Sequence, residues 1–138
     1  MKVVIIDGQG GRLGQLLAEE IVKANLNCDL LAVGTNGIAT SAMLKGGAKW
    51  GATGENPVIV ACRDADVIIG PIGILSADSL FGEITPSMAV AIGQSRAVKL
   101  LLPVSHCSNQ VVGVKSLTMN ELVAEAVEAL KKRLNEAQ

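Results

Sequence analysis

The chain has 138 residues, of which 49% are hydrophobic and 18% charged, with a net charge of −1. That length suits one domain with a core covered on both sides. With no basic block and two aromatics, Trp50 and Phe81, it lacks both the electrostatic footprint and the stacking platforms of a nucleic-acid binder.

Residues 2–6, with Val3, Val4, Ile5 and Ile6, read as a buried strand. A glycine-rich turn follows at Asp7-Gly8-Gln9-Gly10-Gly11, and then a helix over 12–24 with Leu13, Leu16, Leu17 and Ile21 on one face. A second strand is expected over 29–33, stopped by Gly34, and a short helix over 38–46 closed by Gly46-Gly47. A short strand over 49–52 precedes Asn56-Pro57, which reads as N-cap and first position of a helix reaching 63 or 64. The fourth strand, 67–69, ends in Gly70-Pro71-Ile72-Gly73. Residues 74–84 read as a loop over the sheet, with Asp78, Ser79 and Glu83 able to reach over the pocket but read first as surface side chains. Thr85-Pro86 repeats the helix-start signature for a helix to about 95. A fifth strand follows over 98–102 and a sixth over 111–114. Thr118 and Glu121 form a capping box for a last helix whose apolar stripe runs from Met119 through Leu122, Val123, Ala126, Val127 and Leu130 to Leu134.

Strand and helix alternate throughout, without repeat or linker. The expected fold is therefore a single α/β, Rossmann-like three-layer domain over 1–138. Its mainly parallel twisted sheet has five or six strands, in the order 3-2-1-4-5 with the sixth at an edge, and helices on both faces. The three cysteines, Cys28, Cys62 and Cys107, are odd in number and form no C-x-x-C pair, so reduced thiols and no metal are expected. Asp7 and the glycines interrupt the first apolar run, and no other stretch reads as membrane-spanning. The expectation is a cytoplasmic protein without a signal peptide or a membrane partner.

Strand, glycine turn and helix N-terminus in immediate succession form a phosphate cradle. Gly8 permits the turn off the strand. Gly10 and Gly11 let backbone N–H groups approach a phosphate, and Gly14 lets the helix pack on the sheet. Arg12 can add a full positive charge, and Gln9 and Leu13 complete the turn. Ligands of parallel α/β sheets sit outside the carboxyl ends of the strands, which adds Gly34-Thr35-Asn36 and Gly70-Pro71-Ile72-Gly73 to the expected binding residues. The second strand ends without the carboxylate that holds the ribose hydroxyls of NAD. Thr35 or Asn36 can bond either a ribose or a 2′-phosphate, so NADP is at least as plausible a cofactor as NAD.

The frame Gly8, Gly11, Gly14 resembles that of the atypical and extended short-chain dehydrogenases. The string Gly8-Gln9-Gly10-Gly11-Arg12-Leu13-Gly14 also resembles the N-terminal turn of dihydrodipicolinate reductase, over about the first twenty residues. That enzyme carries its catalytic groups in a second domain, so the resemblance implies nucleotide binding and no reductase chemistry here. The whole chain is similar to a short stand-alone bacterial family of unknown function, through the glycine turn, Gly70-Pro71-Ile72-Gly73 and Gly82-Glu83-Ile84-Thr85-Pro86.

Three functional readings stand. The first is a stand-alone binding or sensing module, or an enzyme subunit, for a dinucleotide or another phosphate-bearing small molecule. The second is a small oxidoreductase-like enzyme whose site is completed at a dimer interface, with His106 or Cys107 as candidate catalytic groups. The third is a structural domain with a vestigial turn. The high apolar fraction adds the expectation of a homodimer.

Overall fold

A computed structural model describes residues 1–104 and 108–137. The chain runs β1 (Lys2–Asp7), α1 (Arg12–Lys23), β2 (Asp29–Gly34), α2 (Gly37–Lys45), β3 (Trp50–Thr53), α3 (Glu55–Cys62) and β4 (Val67–Pro71). A 3-10 turn (Ile72–Leu75) then leads to α4 (Pro86–Gln94), β5 (Val98–Leu102) and α5 (Met119–Glu136). All strand pairs are parallel, in the order β3-β2-β1-β4-β5.

Helices cover both faces of the sheet, which is why β1 and β4 are apolar throughout instead of alternating. Val3 and Ile5 of β1 pack with α1, α2 and α5, whereas Val4 and Ile6 pack with α3 and α4 on the other face. The chain leaves β1 into α1 on the first face and leaves β4 toward α4 on the second. These exits diverge above the paired strands β1 and β4, opening a crevice at their carboxyl ends. The last helix has the capping box read from Thr118 and Glu121, and its stripe buries Val123, Val127, Leu130 and Leu134 against the first face.

Two local expectations are corrected. The cap of α3 is Gly54, not Asn56. Gly54 closes β3 with its N–H on the Gly34 carbonyl at 2.9 Å and accepts from Val58 N–H. Pro57 thus occupies the third helical position, where its missing N–H still costs nothing because the first turn has no intrahelical acceptors. There is no sixth strand at 111–114. Gly113 turns the chain in the left-handed region, and Val111, Val112 and Val114 are exposed, so no buried face exists to hold a pairing register. Residues 74–84 form an irregular segment, as expected, and it is tied to the core. Leu80 and Ile84 are buried, and Asp78 N–H bonds the Ile84 carbonyl at 2.7 Å while Ile84 N–H bonds the Ser79 carbonyl at 3.2 Å.

Candidate functional site

The glycine turn sits at the mouth of that crevice. Gly11 caps α1 at φ +72, where a Cβ would lie 2.6 Å from Ala39 Cα and 2.8 Å from its carbonyl oxygen. Glycine is required there both by conformation and by space. Having no side chain, Gly11 offers the first turn of α1 no side-chain acceptor. Asp7 supplies the missing acceptor from the end of β1. Its Oδ2 takes Gly14 N–H at 2.7 Å, in the first turn of α1, and its Oδ1 takes Gly8 N–H at 2.8 Å. One carboxylate thus bridges the two ends of the turn. Gly14 must itself be small, since a Cβ would meet Met43 Sδ at 2.5 Å and Asp7 Cβ at 3.0 Å.

Glu83 reaches the turn from the segment between β4 and α4. Its Oε1 accepts from Gln9 N–H at 2.9 Å, Thr35 Oγ1 at 2.6 Å and Asn36 Nδ2 at 2.8 Å. Asn36 also donates to the Gln9 carbonyl at 3.0 Å, and its Oδ1 caps α2 by accepting Ala39 N–H. The glycine turn, the end of β2 and the segment before α4 are therefore tied at one carboxylate. The expectation that no acid stands at the end of β2 is corrected: Glu83 fills that place from 48 residues along the chain. Reading Glu83 as a surface side chain is corrected with it. Ser79 holds the Gly73 carbonyl and so also has a structural role.

The two carboxyls titrate in opposite directions. Burial pushes Asp7 up from its ordinary value; the Gly14 and Gly8 N–H bonds oppose this, and the nearby Glu83 charge adds to it. Partial burial also acts to raise Glu83, but the donors Thr35, Gln9 N–H and Asn36 together outweigh it and hold Glu83 below the ordinary carboxylate range. Among the described residues no ion pair neutralises either group.

Beside the tied residues lies a cavity of about 260 Å³. One wall is the turn itself, Asp7 through Leu13. Pro71, Gly73, Leu80, Val104 and Met119 form the rest. The cavity is smaller than the roughly 300–1,000 Å³ that encloses a whole drug-sized ligand, so it suits one end of an extended molecule. Gly11 N–H is bonded to the Gly8 carbonyl, and those of Gly8, Gln9 and Gly14 are taken by Asp7 and Glu83. The N–H groups of Gly10, Arg12 and Leu13 have no acceptor among the described residues. These three line the cavity at the positive end of the α1 dipole.

Of the residues expected from the sequence, Gly8 through Leu13, Pro71 and Gly73 come together around the cavity. Gly14 lies beneath it, bonded to Asp7. Gly34 ends β2 opposite Asp7, and Thr35 and Asn36 carry Glu83 beside the turn. Gly70 and Ile72 are adjacent in the chain to lining residues without lining the cavity themselves. His106 and Cys107 lie outside the described residues. Sequence reading missed Leu80, Val104 and Met119 as site residues, and it placed Asp7 at a strand end and Glu83 within reach of the pocket without giving either a binding role. For Glu83 one signal was present, the string Gly82-Glu83-Ile84-Thr85-Pro86. Among the described residues no cluster of His, Cys, Asp or Glu is arranged to hold a metal, and no helix is long and apolar enough to cross a membrane.

A family described as a domain of unknown function, DUF3842, matches residues 2–135. No curated protein matches the chain. Among solved structures, a dodecameric FMN-dependent UbiX-like decarboxylase from Escherichia coli O157:H7 is 14% identical. It aligns over 98% of this chain and 95% of its own, with a TM-score of 0.46. So distant a likeness carries nothing about ligand or assembly.

Proposed function

The chain belongs to the DUF3842 family of unknown function, and we propose that it binds a nucleotide or dinucleotide, NAD(P) among the candidates, by its phosphates at the N-terminus of α1. The observation that carries this is the set of N–H groups at Gly10, Arg12 and Leu13, without an acceptor among the described residues, on three residues that line one cavity at the carboxyl ends of β1 and β4. Three donors in register with a helix dipole, and an Arg12 side chain at the same mouth, suit a phosphate oxygen set. Gly10 supports the same reading. A Cβ there would meet no protein atom within 4 Å, so the fold leaves this approach open.

The apolar remainder of the cavity, Leu80, Val104 and Met119, suits the uncharged part of the ligand beyond its phosphates. In this reading the residues bind and orient. No proton-transfer group is assigned, and activity is left to whatever joins the open side of the site. A homodimer remains part of the proposal, on the high apolar fraction of so short a chain. Light scattering that reports a monomer would remove it.

Calorimetry with ADP, NAD and adenosine tests the phosphate reading. ADP and NAD are expected to bind, with adenosine weaker by about 10- to 100-fold, the value of one or two charge-assisted hydrogen bonds. Equal affinity for ADP and adenosine, or no binding by any of them at millimolar concentration, would overturn it.

A further inference from the structure

The segment before α4 is built to hold Glu83 in place. Leu80, Phe81 and Gly82 are successive residues in the left-handed region, at φ 56, 55 and 87, and Asp78 lies there too. Non-glycine residues adopt this conformation only where the surroundings enforce it, and such strain gathers at functional sites. Here the enforcement comes from the Asp78–Ile84 and Ser79–Ile84 backbone bonds and from burial of Leu80 and Ile84. The result sends Phe81 out to solvent, 98% exposed, and directs Leu80 into the cavity and Glu83 onto the glycine turn.

At the turn all three donors go to Oε1 of Glu83. Oε2 accepts no hydrogen bond among the described residues. Thr35 and Asn36, the polar groups that end β2, are already bonded to the same carboxylate. Arg12 lines the cavity, and no cation bridges to Glu83 among the described residues.

We infer that Glu83 is the specificity-determining residue of the site, selecting a nucleotide whose adenosine ribose carries free hydroxyls and rejecting one with a 2′-phosphate. This rests on the phosphate-binding reading given above. An extended dinucleotide with its diphosphate on α1 places its adenosine ribose at the end of β2, where a Rossmann domain presents an acid. Glu83 supplies that acid from another part of the chain. Its Oε2 can accept a ribose hydroxyl. A 2′-phosphate would instead meet a carboxylate, with a second carboxylate, Asp7, close behind and the local donors occupied. Like charges so placed are a strong rejection, of at least about 100-fold. Thr35 and Asn36 thus act as positioning residues for the acid and not as ligands of a 2′-phosphate.

The test is the pair of dissociation constants for NAD and NADP on the wild-type chain and on Glu83→Gln, measured by calorimetry at low ionic strength. The wild type is expected to favour NAD by at least about 100-fold, and Glu83→Gln to narrow the ratio below about 10-fold, chiefly by gaining affinity for NADP. Equal or tighter binding of NADP by the wild type would overturn the inference, and so would a ratio unchanged in the variant. If Glu83→Gln does not fold, the wild-type ratio decides. ADP separates the two readings. If ADP binds and the NAD/NADP ratio is near one, the selection by Glu83 is lost and the phosphate site stands. If neither ADP nor NAD binds, the phosphate site itself is lost.

Discussion

Replacing Asp7 with alanine is expected to destabilise the chain by about 2–5 kcal/mol, measured as the loss in urea-unfolding free energy. The side chain is 6% exposed and its two oxygens accept the Gly8 and Gly14 N–H groups, both buried. Removing it leaves two donors without acceptors, at about 1–3 kcal/mol each. It also strips α1 of its substitute cap. Asp7→Asn keeps one acceptor oxygen and is expected to cost roughly 1–2 kcal/mol less than the alanine variant. A loss below about 0.5 kcal/mol in Asp7→Ala would mean that the bridge does not hold the turn.

The same group gives a pH dependence of defined sign. Burial raises the native pKa of Asp7 above its ordinary 3.8. The native state therefore holds this proton more tightly than the unfolded chain. The contribution is fully present below pH 3.8 and is lost as pH rises through the native value. The advantage of wild type over Asp7→Asn should thus be greater below pH 3.8 than at neutral pH. An advantage that grew toward neutral pH would contradict the assigned sign.

Gly10→Val is expected to separate binding from folding. The position has no left-handed φ and no protein atom near its missing Cβ, so stability should stay within about 0.5 kcal/mol of wild type. Affinity for ADP should fall by about 10- to 100-fold, because a branched side chain there keeps the phosphate from the Gly10 N–H. Unchanged affinity would place the phosphate elsewhere. A large loss of stability would show that the protein, and not a ligand, requires glycine at this position.

How much of this could be read in advance follows sequence separation. The glycine turn was legible because strand, turn, cap and first helical turn are contiguous, and their order alone sets the donors at the mouth of the crevice. The sheet order was legible because apolar strands alternate with helices, and right-handed crossovers leave few arrangements. Glu83 was legible only as a residue within reach of the pocket, not as the partner of the glycine turn. Its partner Gln9 is 74 residues away, and nothing local to 76–84 shows that four left-handed residues will turn its carboxylate inward. Asp7 was visible as a strand end, but its capping of Gly14 depends on the absence of a side chain at Gly11, a geometric consequence rather than a motif. The misread elements share a cause. Asn56-Pro57 and Val111–Val114 carry the right residue types, but tertiary context decided otherwise, through Gly54 on the Gly34 carbonyl and through the exposure of Val111, Val112 and Val114.

The central claim is that a phosphate is held by the backbone at the start of α1. Amide chemical shifts of ¹⁵N-labelled protein titrated with ADP test it most directly. The predicted result is that the Gly10, Arg12 and Leu13 amides shift with ADP and shift little with adenosine at the same concentration. Shifts that leave these three amides unmoved, with ADP bound elsewhere or not at all, would contradict it.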